Sequence, residues 1–200
     1  MGEEREVKFL LQDIEGMRER LLAAGALVSQ ARVFESNARY DTPNGQLTAA
    51  RRVLRLRQDT RVRLTYKGSA REGESISVRQ ELEVTVSDYD EMHAILTALG
   101  YVVSIRYEKY RTTYHFKELE VVLDEMPYGD FMEIEGPDAG SIREAAEQLG
   151  LNWEARCMAN YLLLFDRLRS QGLQAEHLTF DQLEGKTFTP DDFDLSPGDI

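Results

Sequence analysis

The chain has 200 residues, of which 42% are hydrophobic and 9% aromatic, enough apolar content for the core of one domain or a small pair. Its formal net charge of -12 argues against general binding to nucleic acid, because that affinity depends on basic surface. Cys157 is the only cysteine, which excludes an intramolecular disulfide and a multi-cysteine zinc site.

The sequence gives no sign of a membrane association. Charge begins at Glu3, so the N-terminus does not resemble a signal peptide. No apolar run approaches the roughly 18 residues of a membrane-spanning helix. We therefore expect a cytoplasmic protein without a membrane partner.

The first predicted element is a strand over residues 4–9 that carries Glu4, Glu6 and Lys8 at alternate positions. Because strand side chains alternate between two faces, these three charged groups point the same way. Glu and Lys are poor strand formers, so their alternation needs an explanation. A solvated outer sheet face is one explanation, and a charged cavity is the other.

The remaining strands are predicted from alternating apolar and polar residues bounded by turn signals. In chain order they span residues 26–41, 53–57, 62–68, 77–86, 102–116, 119–126 and 130–135. Most of them carry charge on one face and apolar residues on the other.

Helices are predicted where apolar residues recur at helical spacing between capping residues. They span about residues 14–24, 88–99, 141–149 and 155–170, and the third is predicted to start at a Ser141 capping box. Residues 1–170 are interpreted as one domain. Residues 171–200 form an acidic C-terminal tail without sustained periodicity, predicted to be weakly structured or a peripheral packing segment.

Charged pairs at i, i+2 recur on the predicted strands. The acidic pairs are Glu4/Glu6, Glu81/Glu83 and Glu133/Glu135, and the basic pairs are Arg55/Arg57, Arg61/Arg63 and Lys109/Arg111. A merely solvated face would mix in Ser, Thr, Asn and Gln, so this recurrence favours a shared cavity. A closed sheet suits the pattern, with apolar faces outward under helices and charged faces toward a lumen.

Such a lumen predicts the chemistry of its ligands. Inward bases repel one another unless a polyanion lies among them, and inward acids repel one another unless a divalent cation neutralises them. Carboxylate oxygens suit Mg²⁺ or Mn²⁺, which proteins commonly bind together with substrate phosphates. The pattern therefore predicts that the lumen binds phosphate groups together with a divalent metal ion.

Residues 4–8 resemble the ExExK signature of the CYTH superfamily, the triphosphate tunnel metalloenzymes, which include thiamine triphosphatases, inorganic triphosphatases and class IV adenylate cyclases. Over about residues 1–168, successive blocks are also similar to that family, at 40–43, 54–57, 64–68, 79–83, 108–111, 123–124 and 129–135. The resemblance implies an α+β fold, an eight-stranded antiparallel β tunnel barrel with a charged lumen and helices packed outside.

The same resemblance implies the site residues. The candidate triphosphate ligands are Lys8, Arg55, Arg57, Lys67, Lys109 and Arg111. The candidate ligands of one or two divalent ions are Glu4, Glu6, Glu81, Asp124, Glu133 and Glu135, with Glu83 as a substitute for Glu81. Catalysis is assigned to Glu4, Glu6, Lys8 and Lys67. We interpret Arg61, Arg63 and Arg79 as supporting or ion-pair residues.

Other chemistry-bearing residues are predicted to be structural. His93, His115 and His177 have no metal-ligand spacing between them, and the glycines do not form a Walker loop. Trp153 and Tyr161 are expected to pack.

Three functions follow from this reading. We predict metal-dependent hydrolysis of a triphosphate, which is inorganic triphosphate, thiamine triphosphate or a nucleoside triphosphate. The first alternative is a class IV adenylate cyclase that makes cyclic AMP and pyrophosphate from ATP, and the second is a non-catalytic polyphosphate- or nucleotide-binding module. The expected partner is a triphosphate-containing small molecule, and family analogy permits a homodimer.

Overall fold

The computed structural model describes residues 2–71 and 73–199. The strands are β1 (Gly2–Leu11), β2 (Leu27–Asp41), β3 (Val53–Gln58), β4 (Val62–Lys67), β5 (Ser77–Val86), β6 (Val102–Phe116), β7 (Leu119–Met126), β8 (Gly129–Glu135) and β9 (Arg156–Cys157). The helices are α1 (Ile14–Ala23), α2 (Gln46–Ala49), α3 (Tyr89–Ala98), α4 (Ala139–Gln148), α5 (Tyr161–Ser170) and α6 (Pro190–Phe193). None of these helices is long and apolar enough to cross a membrane.

The first eight strands form a closed antiparallel ring in the order β1-β5-β4-β3-β2-β6-β7-β8. The ring closes through β1, which pairs with β5 along residues 2–6 and with β8 along residues 6–11. The helices lie outside it. The predicted eight-stranded antiparallel tunnel fold is therefore confirmed.

Strand β1 shows how the sequence pattern produces the two faces of the ring. Val7 and Phe9 are buried in an outer core together with Met17 of α1 and Ile142 of α4. Burial of each such apolar side chain contributes roughly 1.5–3 kcal/mol, which holds the helices against the sheet. The alternate residues, including Lys8, point into the lumen.

Helix α4 begins two residues before the predicted start. Its N-cap is Asp138, whose carboxylate accepts hydrogen bonds from the backbone N–H groups of Gly140 and Ser141 at 2.8 and 2.9 Å. An aspartate is a strong N-cap, so it defines the helix start and leaves Ser141 in the first turn. The prediction of Ser141 as the cap was wrong.

The last long helix is shorter than the predicted 155–170. Residues 156–157 form β9, which pairs with β1 beyond the end of the β1–β5 pairing. Helix α5 then begins at Tyr161, because the side chain of Asn160 accepts hydrogen bonds from the first N–H groups of the helix, both at 3.0 Å. For residues 156–157, pairing with β1 therefore outweighs their helical propensity.

The C-terminal segment, residues 171–199, packs against the ring through Leu178. This side chain is fully buried in a core that also contains Phe165 of α5. Its backbone N–H donates to Arg106 O, and its carbonyl accepts from Glu108 N, both at 3.0 Å. The segment thus provides hydrogen-bond partners for backbone groups of β6 that lie beyond its pairing with β7.

The end of the segment is fixed against β1. The Asp199 carboxylate accepts hydrogen bonds from the two backbone N–H groups that follow β1, at 2.8 to 3.1 Å. The Gly198 N–H donates to Leu10 O at 2.8 Å, and a Cβ on Gly198 would lie only 2.9 Å from Phe9. Residues 171–199 are thus a packing segment. The division of the chain at residue 170 stays a prediction.

The burial of Leu178 predicts a large contribution to stability. Leu178→Ala should lower the free energy of unfolding by about 2–5 kcal/mol, because it removes a buried side chain and leaves a cavity. Chemical denaturation measures the change. Leu163→Ala on α5 is the matched control, since that side chain is 57% exposed. An equally small effect of both substitutions would show that the segment does not stabilise the ring.

Candidate functional site

The ring encloses a cavity of about 530 Å³ that opens to solvent. Among the described residues, 17 of the 23 that line it are Asp, Glu, Lys or Arg. All six predicted bases line it, namely Lys8, Arg55, Arg57, Lys67, Lys109 and Arg111, together with the predicted acids Glu4, Glu6, Glu81, Glu133 and Glu135. The structure brings these side chains into one cavity, and their individual roles stay predictions.

Carboxylates dominate one wall of the cavity, where three strands carry them at directly opposite positions. Glu135 on β8 lies opposite Glu6 on β1 and opposite Glu120 on β7. Glu135 is exposed to solvent, but partial desolvation together with the charges of Glu4, Glu6 and Glu120 raises its pKa to about 7. Glu6, Glu120 and Glu135 make no ion pair among the described residues, so this wall, called the acid wall below and completed by Glu4 on β1, carries excess negative charge.

Lys67 connects the acid wall to β4. Its ammonium contacts the Glu4 carboxylate and lies 2.9 Å from Glu81. The second oxygen of Glu4, Oε2, is buried and accepts no hydrogen bond from the described residues, although Arg79 Nε lies 3.9 Å away. Glu4 thus retains one carboxylate oxygen that is not hydrogen-bonded in the part of the chain that the structure describes.

Asp124 is the predicted ligand that does not line the cavity. It is fully buried behind the lumen surface and accepts from Lys109 at 2.9 Å, from Arg111 at 2.5 and 2.6 Å, and from the Tyr161 hydroxyl at 2.7 Å. Both carboxylate oxygens therefore have donors. In this arrangement Asp124 holds bases of the lumen in position.

Glu133 extends the same ion-pair network toward β1. Its carboxylate contacts the Lys8 ammonium and lies 2.6 Å from Nη2 of Arg111. Burial opposes ionisation, but these two bases hold the pKa of Glu133 well below its usual range. The charges of Lys8, Lys109 and Arg111 are thus largely balanced by buried carboxylates.

Glu35 on β2 belongs to the site, although the sequence analysis did not name it. It is only 1% exposed and lies 3.5 Å from Arg57 and 3.7 Å from Lys109. Burial alone would raise its pKa, but Lys109, Arg111 and Arg57 lower the pKa below its usual range. The sequence holds one signal of this position, because Glu35, Asn37 and Arg39 alternate on one face of β2, but Glu35 has no second acid at i+2.

Arginines dominate the wall formed by β2, β3, β4 and β5. The Nε–H groups of four of them are buried without a hydrogen-bond partner in the described chain, namely those of Arg55, Arg57, Arg63 and Arg79. Burial and the neighbouring Arg55 lower the pKa of Arg57. Arg63 and Arg79 line the cavity, and Arg61 is exposed at the β3–β4 turn, while the supporting role of these three bases stays a prediction.

Tyr161 was predicted to pack, but it also reaches the lumen from the start of α5. Besides its hydrogen bond to Asp124, its ring lies 4.3 Å from the Lys8 ammonium and 5.1 Å from the Phe131 ring. Burial and the negative charges of Asp124 and Glu133 raise the pKa of Tyr161, so its hydroxyl stays protonated and donates. Periodicity could not reveal this role, because a buried tyrosine in a helix usually packs.

The acid wall fits a divalent cation in its chemistry. Among residues 2–71 and 73–199, no three acid, imidazole or thiol groups converge with metal-binding geometry, since Lys67 and Lys8 occupy part of the carboxylates. However, Glu4 Oε2 lacks a partner, and Glu6 and Glu135 make no ion pair in that part of the chain. Free carboxylate oxygens of this kind are the ligands that Mg²⁺ and Mn²⁺ prefer.

Several solved structures share this fold, and the alignments extend over nearly the whole length of those proteins. A provisionally assigned adenylate cyclase from Vibrio parahaemolyticus aligns with a TM-score of 0.72 at 20% identity, over 82% of this chain and 97% of that one. The PH1819 protein from Pyrococcus horikoshii aligns with a TM-score of 0.66 at 26% identity, over 82% and 99%. A provisionally assigned adenylyl cyclase from Hippeastrum, described as revealing a dominant triphosphatase activity, aligns with a TM-score of 0.60 at 19% identity, over 86% and 98%.

None of the curated proteins compared with the chain matches it. A family model, however, matches the sequence directly. The model of the CYTH domain matches residues 2–152, which include all eight strands of the ring. Because this match spans most of the chain and agrees with the ring and its charged lumen, the protein belongs to the CYTH family.

Proposed function

We propose that the protein hydrolyses a triphosphate substrate in the lumen with the help of Mg²⁺ or Mn²⁺. The observation that carries the proposal is that nine bases and eight carboxylates, among the described residues, line the same cavity. A phosphate chain that carries bound metal matches this surface, because it presents both anionic oxygens and a cation.

In the proposed mechanism, the bases hold and orient the phosphate chain. Arg55, Arg57 and Lys67 each direct donor groups into the lumen, and guanidinium forks match phosphate oxygens well. Fixing the chain places the terminal phosphorus for in-line attack and balances charge in the transition state. Lys8, Lys109 and Arg111 also line the cavity, and their ion pairs hold their N–H donors in fixed positions toward the phosphate chain.

The acid wall supplies the complementary part of the mechanism. Glu4, Glu6 and Glu135 would hold the divalent ion, which when bound supplies charge neutralisation and activation of water. A carboxylate of the same wall accepts the proton of the attacking water. The organic end of a substrate has few apolar contacts available, since among the described lining residues only Val53, Tyr107, Val122, Asn160, Tyr161 and Leu162 are uncharged.

Adenylate cyclisation is the second candidate, because the Vibrio parahaemolyticus protein of the same fold is provisionally named an adenylate cyclase, whereas the Hippeastrum protein is described by a dominant triphosphatase activity. The same bases would hold ATP, but the ribose 3′-oxygen would attack the α-phosphorus. That reaction also requires a held ribose, whereas hydrolysis needs only the phosphates. The charged lining therefore supports hydrolysis more strongly.

A turnover screen tests the reaction. We expect phosphate release from inorganic triphosphate, thiamine triphosphate or ATP with Mg²⁺ or Mn²⁺, measured alongside cyclic AMP and pyrophosphate by chromatography. If cyclic AMP and pyrophosphate formed from ATP faster than phosphate formed from any of the three, cyclisation would replace hydrolysis. If no substrate turned over but triphosphate bound, the protein would be a non-catalytic binding module.

Metal binding is expected at the acid wall. Calorimetric titration with Mn²⁺ should show weaker binding to Glu135→Gln than to wild type, because the substitution removes a carboxylate that makes no ion pair in the described chain. Excess chelator should abolish turnover of the wild type. Glu19→Gln is the matched control, since Glu19 is exposed on α1 outside the ring. Turnover that survives the chelator would refute the metal assignment.

The basic clamp is tested separately through substrate affinity. Lys67→Ala and Arg57→Ala should each weaken triphosphate binding about 10- to 150-fold, because a charge-assisted hydrogen bond contributes roughly 1.5–3 kcal/mol. Arg61→Ala removes the same charge from an exposed position and should bind like wild type. Circular dichroism confirms folding of each variant. Wild-type affinity in both lumen variants would rule out the clamp.

A further inference from the structure

Two arginines face each other inside the lumen, and only one of them belongs to the predicted clamp. Arg39 on β2 lies directly opposite Arg55 on β3, and both line the cavity. Like charges at directly opposite positions on neighbouring strands are destabilising. The pair therefore requires a compensating negative charge.

The described chain supplies no such charge at ion-pair distance. Arg55 donates to the Tyr107 hydroxyl at 3.2 Å and to Thr65 Oγ1 at 3.3 Å, both neutral oxygens, and its Nε–H has no partner. The side chain of Arg39 makes neither a hydrogen bond nor an ion pair in residues 2–71 and 73–199. The pair thus retains donors directed at the lumen.

The charges of other bases in the cavity are balanced by nearby carboxylates. Lys109 and Arg111 each lie within 3 Å of the Asp124 carboxylate. For Arg39, burial lowers the pKa, and Arg55 and Arg79 lower it further against the opposing effect of Tyr107 and Asp41. Burial opposes the charge of Arg55 too, but Tyr107, Glu35 and Glu81 favour it and raise the pKa of Arg55, so Arg39 is the less compensated member of the pair.

The position of the pair in the ring suits a ligand held between two walls. In the strand order, β2 is the fourth neighbour of β1 in both directions, so Arg39 lies across the lumen from Glu4 and Glu6 of the acid wall. An anion at the arginine pair and a cation at the acid wall would therefore occupy opposite sides of the same ligand. A phosphate chain with bound metal has this distribution of charge.

We propose that Arg39 and Arg55 together form an anion subsite that binds a phosphoryl group of the triphosphate. Two guanidinium groups present parallel N–H donors that match phosphate oxygens, and the bound anion relieves their mutual repulsion. Arg39 is thus a substrate-binding residue in addition to the six predicted bases. The subsite rests on the proposed function for the identity of its anion and is independent of turnover.

The test compares Arg39→Gln with Arg61→Gln, which removes one exposed positive charge outside the lumen. The probe is inorganic triphosphate with imido groups in place of the bridging oxygens, titrated calorimetrically in the presence of Mg²⁺ so that no hydrolysis occurs. Arg39→Gln should weaken binding about 10- to 150-fold, the effect of one charge-assisted contact. Arg61→Gln should bind within twofold of wild type.

The melting temperature of the ligand-free protein separates binding from a structural role. Removal of one of two opposed cations should raise that temperature in Arg39→Gln, whereas loss of a structural side chain would lower it. Arg39→Lys keeps the charge and loses the planar fork, so its affinity should lie between those of Arg39→Gln and wild type. This variant keeps the test decisive if Arg39→Gln does not fold.

The outcomes for the subsite and for the proposed function are distinguishable. Wild-type affinity in Arg39→Gln, or a lowered melting temperature with unchanged affinity, would overturn the subsite even if the wild type hydrolyses triphosphate. Weakened binding in Arg39→Gln supports the subsite even if no triphosphate turns over, in which case hydrolysis fails. A wild type that does not bind the imido analogue would overturn the subsite.

Discussion

Electrostatic balance inside a closed lumen is the constraint on which the rest of this structure depends. Charges taken out of water are costly unless they are paired and hydrogen-bonded. Asp124 meets this requirement most completely, since Lys109, Arg111 and Tyr161 all donate to its buried carboxylate. Where pairing is complete the charges hold the fold, and where it is incomplete they are available to a ligand.

This balance divides the lumen into two functional halves. Around Glu133, acids and bases satisfy one another and form a rigid frame. The acid wall around Glu135 and the arginine pair of Arg39 and Arg55 carry opposite charges that the described chain leaves uncompensated. A ligand with separated positive and negative charge would stabilise both, which is why metal-bound triphosphate suits the cavity.

The part of the chain that follows the matched family region also contributes to the site. Tyr161 follows the end of the CYTH match at residue 152, yet it donates to Asp124 and lies under the Lys8 ammonium. Leu178 and Asp199 fix the following segment to β6 and β1. Residues 171–199, which the sequence pattern marks as peripheral, therefore pack in the same core as Tyr161 and support α5 from outside the lumen.

The strands and their charged faces could be predicted from the sequence, because alternation at i, i+2 is a local property of strands and places Glu4, Glu6 and Lys8 on one face. Which charges neutralise each other could be read only from the folded ring. Those pairings join strands far apart in the chain, as between Lys8 and Glu133 or between Glu4 and Lys67, and they depend on the register that ring closure imposes. Local patterns carry no information about such register, because it is set by packing of the whole sheet.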